Sequence, residues 1–376
     1  VNPILQFGTS RFLQAHVDLF VSEALAAGTA LGPITVVQTT DSPQSARRIE
    51  AFNHPEGYPV RIRGLQDGAV VDREQRVTSI RRGLMAHRDW ATIREQVATM
   101  VRVIVSNTGD RGYDLAQEDH AGLLAADLPP RSFPAKLLVL LHARYRRGAE
   151  PITLLPCELV SNNGSVLRDR VLGLARDWSL DASFIEWLGQ ECVWVNSLVD
   201  RIVSEPIEPA GAVAEPYSLW AIEAQPNMVL PCSHPQIVVT ERLEPYERRK
   251  LFLLNLGHTF LAEQWLRMGR PADETVVQAM SDFATRTDLE AVWREEVLPV
   301  FRALGEEEVS RAYLEQVRDR FKNPYLAHRI ADIAQNHEEK KRRRLLPVVT
   351  LARELGLDLA QPRLRAALDG VAREIR

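Results

Sequence analysis

The sequence predicts an α/β fold in two parts: a doubly wound parallel sheet over residues 1–240 and a mostly α-helical domain over residues 241–376. Three observations predict it. Short apolar runs alternate with helical periodicity through the first part, each run closes on small or polar residues, and from about Pro245 strand signals give way to long helical segments. A chain of 376 residues also exceeds what one compact core usually holds.

The elements follow in order. Residues 3–7 (PILQF) form a short apolar run before Gly8, and from Arg11 the apolar positions Phe12, Val17, Phe20, Val21 and Leu25 recur at helical spacing. This is a strand, a tight turn and a helix. Residues 34–38 (ITVVQ) are β-branched and close on Thr39, Thr40 and Asp41, which completes a first βαβ unit. Residues 101–105 (VRVIV) close on Ser106, Asn107 and Thr108, and residues 152–155 (ITLL) close on Pro156, Cys157 and Glu158. In a parallel sheet the loops after Phe7, Gln38, Val105 and Leu155 share one rim, where ligands of such folds bind. Residues 58–71 alternate and carry Gly64 and Gly68, as an inserted β-hairpin does. The Pro- and Ala-rich stretch 209–239 bridges the parts, with 219–222 and 237–239 as possible strands. Helical segments are expected over 247–268, 275–287, 288–304, 307–321, 324–336 and 340–354.

Composition excludes several classes. The chain is 45% hydrophobic and 26% charged with a net charge of −4, so it carries no nucleic-acid footprint. Cys157, Cys192 and Cys232 are widely spaced and build neither a disulfide framework nor a zinc site, which suits a reducing, cytoplasmic compartment. No stretch approaches the roughly 20 apolar residues of a membrane helix. The first apolar run begins at Ile4, too early for a charged leader, so an untargeted soluble chain is expected. Only five of the 46 basic residues are lysines, at 136, 250, 322, 340 and 341, which makes each lysine a position of interest.

Gly8-Thr9-Ser10-Arg11-Phe12 sits where a Rossmann-like dinucleotide-binding turn belongs, between the first strand and the first helix. A residue without a side chain lets backbone N–H groups approach a pyrophosphate. Ser10 and Leu13 occupy the second and third glycine positions of the full motif, and a plain turn glycine has the same signature. Asp41 can bond a ribose hydroxyl or simply be a solvated turn residue.

Lys250, Asn255 and His258 interrupt an otherwise apolar helix. On an ideal α-helix they fall at 0°, about 140° and about 80°, on one side. An amine held among leucines loses its proton more readily than one in water, which an Arg does not do. Asn255 can bond a carbonyl or alkoxide, and His258 can orient a hydroxyl or carboxylate. An amphipathic helix with a snorkelling Lys and a satisfied His gives the same pattern. The Tyr246 and Lys250 Y-x-x-x-K spacing is set aside as coincidental, because it lies after the sheet domain. Asp200, beside Arg201, either holds a catalytic group in place or belongs to a structural ion pair. Residues 340–344 (KKRRR) follow Glu338 and Glu339 and read as a solvated helix face, with an anionic-substrate site at Lys340 as the alternative. No His spacing supports a zinc site.

Taken together, these residues resemble the long-chain polyol dehydrogenase family, which includes mannitol 2-dehydrogenase, mannitol-1-phosphate 5-dehydrogenase, fructuronate reductase and tagaturonate reductase. Residues 4–16 resemble its Q-F-G-x-G-x-F-x-R-A opening, with Ser10 for the second glycine and Gln14 for the Arg. Ser106-Asn107-Thr108 resembles the family S-N-T turn, residues 199–203 its V-D-R-I segment, and Lys250, Asn255 and His258 its K-x(4)-N-x-x-H signature. The tagaturonate reductase (altronate oxidoreductase) branch is nearest, through Lys136, residues 156–164, residues 245–250, residues 320–325 and His328. The family's first oxyanion-hole Asn falls on Leu159, with Asn162 or Asn163 as substitutes.

The resemblance implies NAD(H)-dependent, metal-independent interconversion of a secondary alcohol and a ketone of a small sugar acid or polyol. It gives Lys250 the role of base, Asn255 that of oxyanion donor, and His258 and Asp200 positioning roles. Arg320, Asn323, His328 and Lys340 become substrate-site residues. Gly8, Thr9, Ser10, Arg11, Phe12, Asp41, Ser106, Asn107 and Thr108 become the cofactor rim. NAD is expected rather than NADP, because Gln38-Thr39 offers no arginine for a 2′-phosphate. A mannitol or mannitol-1-phosphate dehydrogenase on the same scaffold and a catalytically silent NAD-binding sensor are the alternatives.

Overall fold

A computed structural model describes residues 2–109 and 111–369. The chain divides into two compact units. The first is drawn from the chain up to Ile62, Arg73–Ala214 and Ser218–Leu243, and the second from Arg63–Asp72, Glu215–Tyr217 and the chain from Glu244 on.

The first unit is built on six parallel strands: β1 (Ile4–Phe7), β2 (Ile34–Gln38), β3 (Ile80–Met85), β4 (Val103–Ser106), β5 (Thr153–Pro156) and β6 (Val193–Trp194). Their order across the sheet is β3-β2-β1-β4-β5-β6. The chain runs outward from β1 to β3, then crosses back to β4, so the order reverses between β1 and β4. β1, β2, β4 and β5 are buried at every position, which explains their unbroken apolar runs. Helices Ala86–Thr99, Phe133–Arg147 and Asn163–Asp177 supply Trp90, Leu137, Leu140 and Val171 to the core beside Leu5, Phe7 and Leu154. β3 and β6 lack a distinctive sequence signal: β3 reads IRRGLM with exposed arginines, and β6 has only two residues.

The first helical segment departs from expectation. It breaks into Arg11–Gln14 and Val17–Ala27, with His16 at φ −126° and ψ −87° between them. His16 lies between Phe12 and Phe20, at ring distances of 4.7 and 4.5 Å. The expected hairpin pairs Tyr58–Gln66 with Ala69–Val77 around Asp67-Gly68, both in the left-handed region that such a two-residue turn requires. Residues 219–222 and 237–239 are strands, Leu219–Glu223 and Ile237–Thr240, in a three-stranded sheet with Ser197–Asp200.

Among the described residues the second unit is helical apart from the hairpin tip. Its core gathers Phe252, Leu253, Leu256, Trp293, Phe301, Val317 and Phe321. The expected helix 275–287 stops at Asp282, whose carboxylate accepts the Thr285 N–H and starts Phe283–Ala291.

One buried acid sets a pH dependence. Asp18 is fully buried, accepts a 2.9 Å bond from the Tyr58 hydroxyl, and has its pKa pushed up to about 7 by burial against the opposing hydrogen bonds of Tyr58 and Gln6. An unfolded Asp releases its proton near pH 4, so between about pH 4 and pH 7 the folded chain holds more protons and stability falls as pH rises. Asp18→Asn should therefore raise the unfolding free energy measured by urea titration at pH 8, by on the order of 2 kcal/mol, and lose that advantage by pH 4.

Candidate functional site

In the first unit the reversal between β1 and β4 brings two loops into contact. Gly8 follows β1 at φ +108°, and a Cβ there would lie 2.4 Å from the Asn107 carbonyl oxygen after β4. Only glycine satisfies both the angle and the approach. Asn107 donates its backbone N–H to Phe7 O (3.0 Å) and its side-chain amide to Cys157 O (2.9 Å). Ser10 caps the short helix through Leu13 N (3.2 Å) and donates to Asn107 Oδ1 (3.3 Å). The hydroxyl at the second glycine position thus ties the turn to the facing loop.

The β4 loop rests on a residue that sequence reasoning missed. Glu158, buried after β5, accepts hydrogen bonds from Ser106 Oγ (3.0 Å), Thr108 N (3.1 Å), Thr108 Oγ1 (3.0 Å) and Tyr113 OH (3.2 Å). Burial pushes its carboxyl above the usual range while the Ser106 and Thr108 bonds pull it back. Its only signal was position, at the end of a buried strand on the rim.

Other rim residues divide. Thr9 Oγ1 meets Gln38 Oε1 and accepts from Arg48 Nη1 at 3.1 Å. Arg11 instead extends to Glu208 (3.7 Å) in a solvent-exposed pair, and Phe12 stacks on His16. Asp41 is 70% exposed and lies 3.6 Å from His87. Beside the rim, a cleft of about 430 Å³ is lined by Thr39, Thr40, Thr108, Arg111, Ser132 and Lys136, among others. Lys136 donates to Arg131 O (2.6 Å), and burial lowers its pKa to about 8.

Asp200 ends its strand, buried, opposite Leu219 in the three-stranded sheet. Neighbouring Arg201 donates to Ala15 O at 2.6 Å. Leu159, where the resemblance looks for an Asn, is 75% exposed. Asn163 is fully buried; its amide donates to Pro156 O, Glu158 O and Ser197 O and accepts from Gly164 N and Ser197 N. That side chain is consumed by backbone bonds and offers no donor to a ligand. Asn162, the other substitute, is exposed with a left-handed backbone.

In the second unit Lys250, Asn255 and His258 lie on one continuous helix. It runs α over Glu244–Arg249, π over Lys250–Asn255 and α again over Leu256–Met268. In the π segment hydrogen bonds run i→i+5, so Asn255 stacks about one turn beyond Lys250, nearer to it than ideal α winding predicts. Trp293 Nε1 donates to Leu253 O within the segment (3.0 Å), and Gly257 leaves room for Trp293 and Phe321, which a Cβ would meet at 2.7 and 3.1 Å. Lys250 and Asn255 are half-buried and His258 is buried.

His258 stacks on Phe321 at 4.3 Å and meets the His328 ring edge-on at 5.1 Å. Burial lowers the His328 pKa, and nearby Lys340 adds to it. Lys340 donates to Ile333 O at 2.6 Å. Arg344, one turn on, reaches Thr259 Oγ1 at 3.4 Å, beside His258. Burial first, and then a neighbouring arginine, lowers the pKa of each: Arg344 acts on Lys340, and Arg343 on Arg344. Sequence reasoning missed Arg344, which sits inside the basic run.

Arg320 and Asn323 are placed differently. Arg320 pairs with Glu215 (2.9 Å), both side chains only 2% exposed, and lies 4.4 Å over the Tyr217 ring. Asn323 clamps the hairpin tip, donating to Arg63 O (3.3 Å) and accepting from Tyr325 N (3.0 Å). Lys341, in the same basic run, joins His337 and Arg267 around Glu263, whose pKa falls to about 2 against its own burial. Among the described residues no group of three or more His, Cys, Asp or Glu is arranged to hold a metal ion, and no helix is long and apolar enough to cross a membrane.

Residues 2–231 match the mannitol dehydrogenase Rossmann domain, and residues 242–370 match the mannitol dehydrogenase C-terminal domain. The chain is 32% identical to an altronate oxidoreductase of Bacillus subtilis, over 92% of this chain and 74% of that protein. An altronate oxidoreductase of Klebsiella pneumoniae is 33% identical, over 97% of this chain and 78% of its own length. In fold the chain is similar to D-sorbitol dehydrogenase in substrate-free form (TM-score 0.82, 21% identity, 97% of this chain and 80% of that one). It is also similar in fold to Pseudomonas fluorescens mannitol 2-dehydrogenase in a ternary complex with NAD and D-mannitol (TM-score 0.70, 19% identity, 98% and 77%).

The close approach at Gly8 is testable by comparison with Gly28, which has φ +73° and nothing within 4 Å of a Cβ. Gly28→Ala should cost about 1 kcal/mol from backbone strain alone. Gly8→Ala should cost about 1–3 kcal/mol more, read as the difference in urea unfolding; equal losses would show that the two loops part freely.

Proposed function

The chain belongs to the mannitol dehydrogenase family, and we propose that it is an NAD-dependent oxidoreductase interconverting a secondary alcohol and a ketone of a sugar acid of the altronate and tagaturonate type. The rim supports a dinucleotide by its place in the fold: the Gly8 turn, between β1 and the first helix, packs directly on the β4 loop at the point where the strand order reverses. Gly8, Thr9, Ser10, Asn107 and Thr108 would hold it, with Glu158 and Ser106 keeping the β4 loop in place. When bound, the nicotinamide supplies a hydride acceptor for the alcohol or a hydride donor for the ketone.

The second unit provides the proton-transfer residues. In the oxidising direction the Lys250 amine takes the hydroxyl proton, and in the reducing direction it returns one to the carbonyl oxygen. Asn255, brought near Lys250 by the π winding, donates to that oxygen as its charge changes. His258, held flat against Phe321, orients a neighbouring hydroxyl; the positioning role that the resemblance gives Asp200 falls on a residue of the first unit.

The observation that favours an acid over a neutral polyol is the pair Lys340 and Arg344. Both are half-buried beside the helix of His258, and neither has a carboxylate partner among the described residues. A substrate carboxylate would neutralise them; a neutral polyol would leave two like charges facing each other. Arg320, already matched by Glu215, supports the fold of the site rather than the charge of its ligand.

Lys250→Ala should lower kcat about a thousandfold while NADH binding, followed by fluorescence, stays within a few-fold of the parent. An unchanged rate would remove the lysine mechanism. Steady-state rates with altronate, mannonate, mannitol and mannitol 1-phosphate test the substrate class, and turnover of mannitol alone would sink the acid reading. Arg344→Gln should raise KM for the acid about tenfold and leave kcat largely intact.

A further inference from the structure

The end of β2 is where a dinucleotide's adenosine ribose is read in this fold, commonly by an Asp or Glu that bonds the 2′-hydroxyl and repels a 2′-phosphate. Here the strand ends in Gln38, a neutral amide. Its Oε1 meets Thr9 and its Nε2 donates to Thr40 Oγ1 at 2.5 Å, so it is fixed between the β1 turn and the β2 loop. The nearest acid in sequence, Asp41, is turned outward to His87.

A cation occupies the position instead. Arg48, on the helix Pro43–Phe52 that follows β2, folds back so that Nη1 donates to Thr9 Oγ1 at 3.1 Å. It is half-buried, and among the described residues it has no carboxylate partner. One of its five N–H donors is used in that contact. Thr40, Ser42 and Ser45 form a hydroxyl group at the start of the same helix, with Thr40 to Ser45 at 3.2 Å and Ser42 to Ser45 at 2.9 Å. A guanidinium with free donors, beside hydroxyls and a neutral amide, is a phosphate-binding chemistry rather than a diol-binding one.

We infer that Gln38 and Arg48 form a subsite for a 2′-phosphate, so that the protein accepts NADP(H) as well as NAD(H). This rests on the dinucleotide reading above. Arg48 lies ten residues past the strand end, beyond the Gln38-Thr39 pair where an arginine is sought in the sequence. Only the helix after β2 folding back brings it to Thr9.

The test is equilibrium binding of NADH and of NADPH to the full chain, each by nucleotide fluorescence, without turnover. The two Kd values should agree within about tenfold, and raising salt should weaken NADPH more than NADH. Arg48→Gln should shift the Kd ratio at least about tenfold against NADPH. Gln38→Glu, isosteric and in the same bonded position, should shift it the same way by repulsion. Normal NADH binding with NADPH more than tenfold weaker, or an unchanged ratio in Arg48→Gln, overturns the subsite and leaves the dinucleotide reading standing. Binding of neither nucleotide overturns both.

Discussion

The first unit depends on a close approach between two backbones. Gly8 and Asn107 lie so near that there is no space for a single carbon between them, and this contact defines the crevice where the strand order reverses. Neither loop belongs to a regular element, so each must be held by side chains. Asn107 is anchored to the ends of β1 and β5 through Phe7 O and Cys157 O. Thr108 and Ser106 are anchored to Glu158. Glu158 in turn stands on Asn163, whose amide donates to Pro156 O and to the carbonyl of Glu158 itself. The order of support runs from a fully buried amide, to a buried carboxylate, to the loop, to the glycine.

Such an arrangement requires an acceptor-only group at its centre. Four donors converge on Glu158, and two carboxylate oxygens can satisfy all of them, whereas a hydroxyl or amide would set donor against donor. Burial raises the cost of the charge, and the hydrogen bonds offset that cost. The second unit solves a related problem differently. Its π segment leaves helix carbonyls irregularly bonded, and Trp293 supplies a donor to one of them. The packing that allows this needs Gly257, a few residues beyond the segment it stabilises.

Much of the architecture was legible in the sequence, because strands buried on both faces must be apolar and must end where polar loops begin. The rim loops after Phe7, Gln38, Val105 and Leu155 were read from that rule alone. β3 was not legible, since an edge strand tolerates two exposed arginines in succession, Arg81 and Arg82. The break at Ala15-His16 was hidden because Phe12, Phe20 and His16 keep helical spacing while packing as rings. At the candidate site, residue types were legible and partners were not. Lys250, Asn255 and His258 stand out against an apolar helix, but nothing in one sequence says that Arg320 meets Glu215, 105 residues away, or that Arg48 turns back to Thr9. The π winding escaped as well, since its sequence, KLFLLN, is as good an α-helix as any.

The scarcity of lysine takes on a physical meaning once the partners are known. Arginine fills the permanent pairs, with a planar fork that suits two oxygens at once: Arg320 on Glu215 and Arg318 on Glu290. Lysine is left to places where a single point donor is needed or where charge must be adjustable. Lys341 supplies one contact to Glu263, already bonded by His337 and Arg267. Lys136 donates a hydrogen bond to one carbonyl, and burial brings its pKa down to about 8. Lys340 likewise bonds one carbonyl while burial and Arg344 press against its charge. An arginine at either place would bring a wider, permanently charged group into a space already short of water and of counter-charge. Lys250 shares only the placement of these two: half-buried, at the head of a segment whose following residues are apolar.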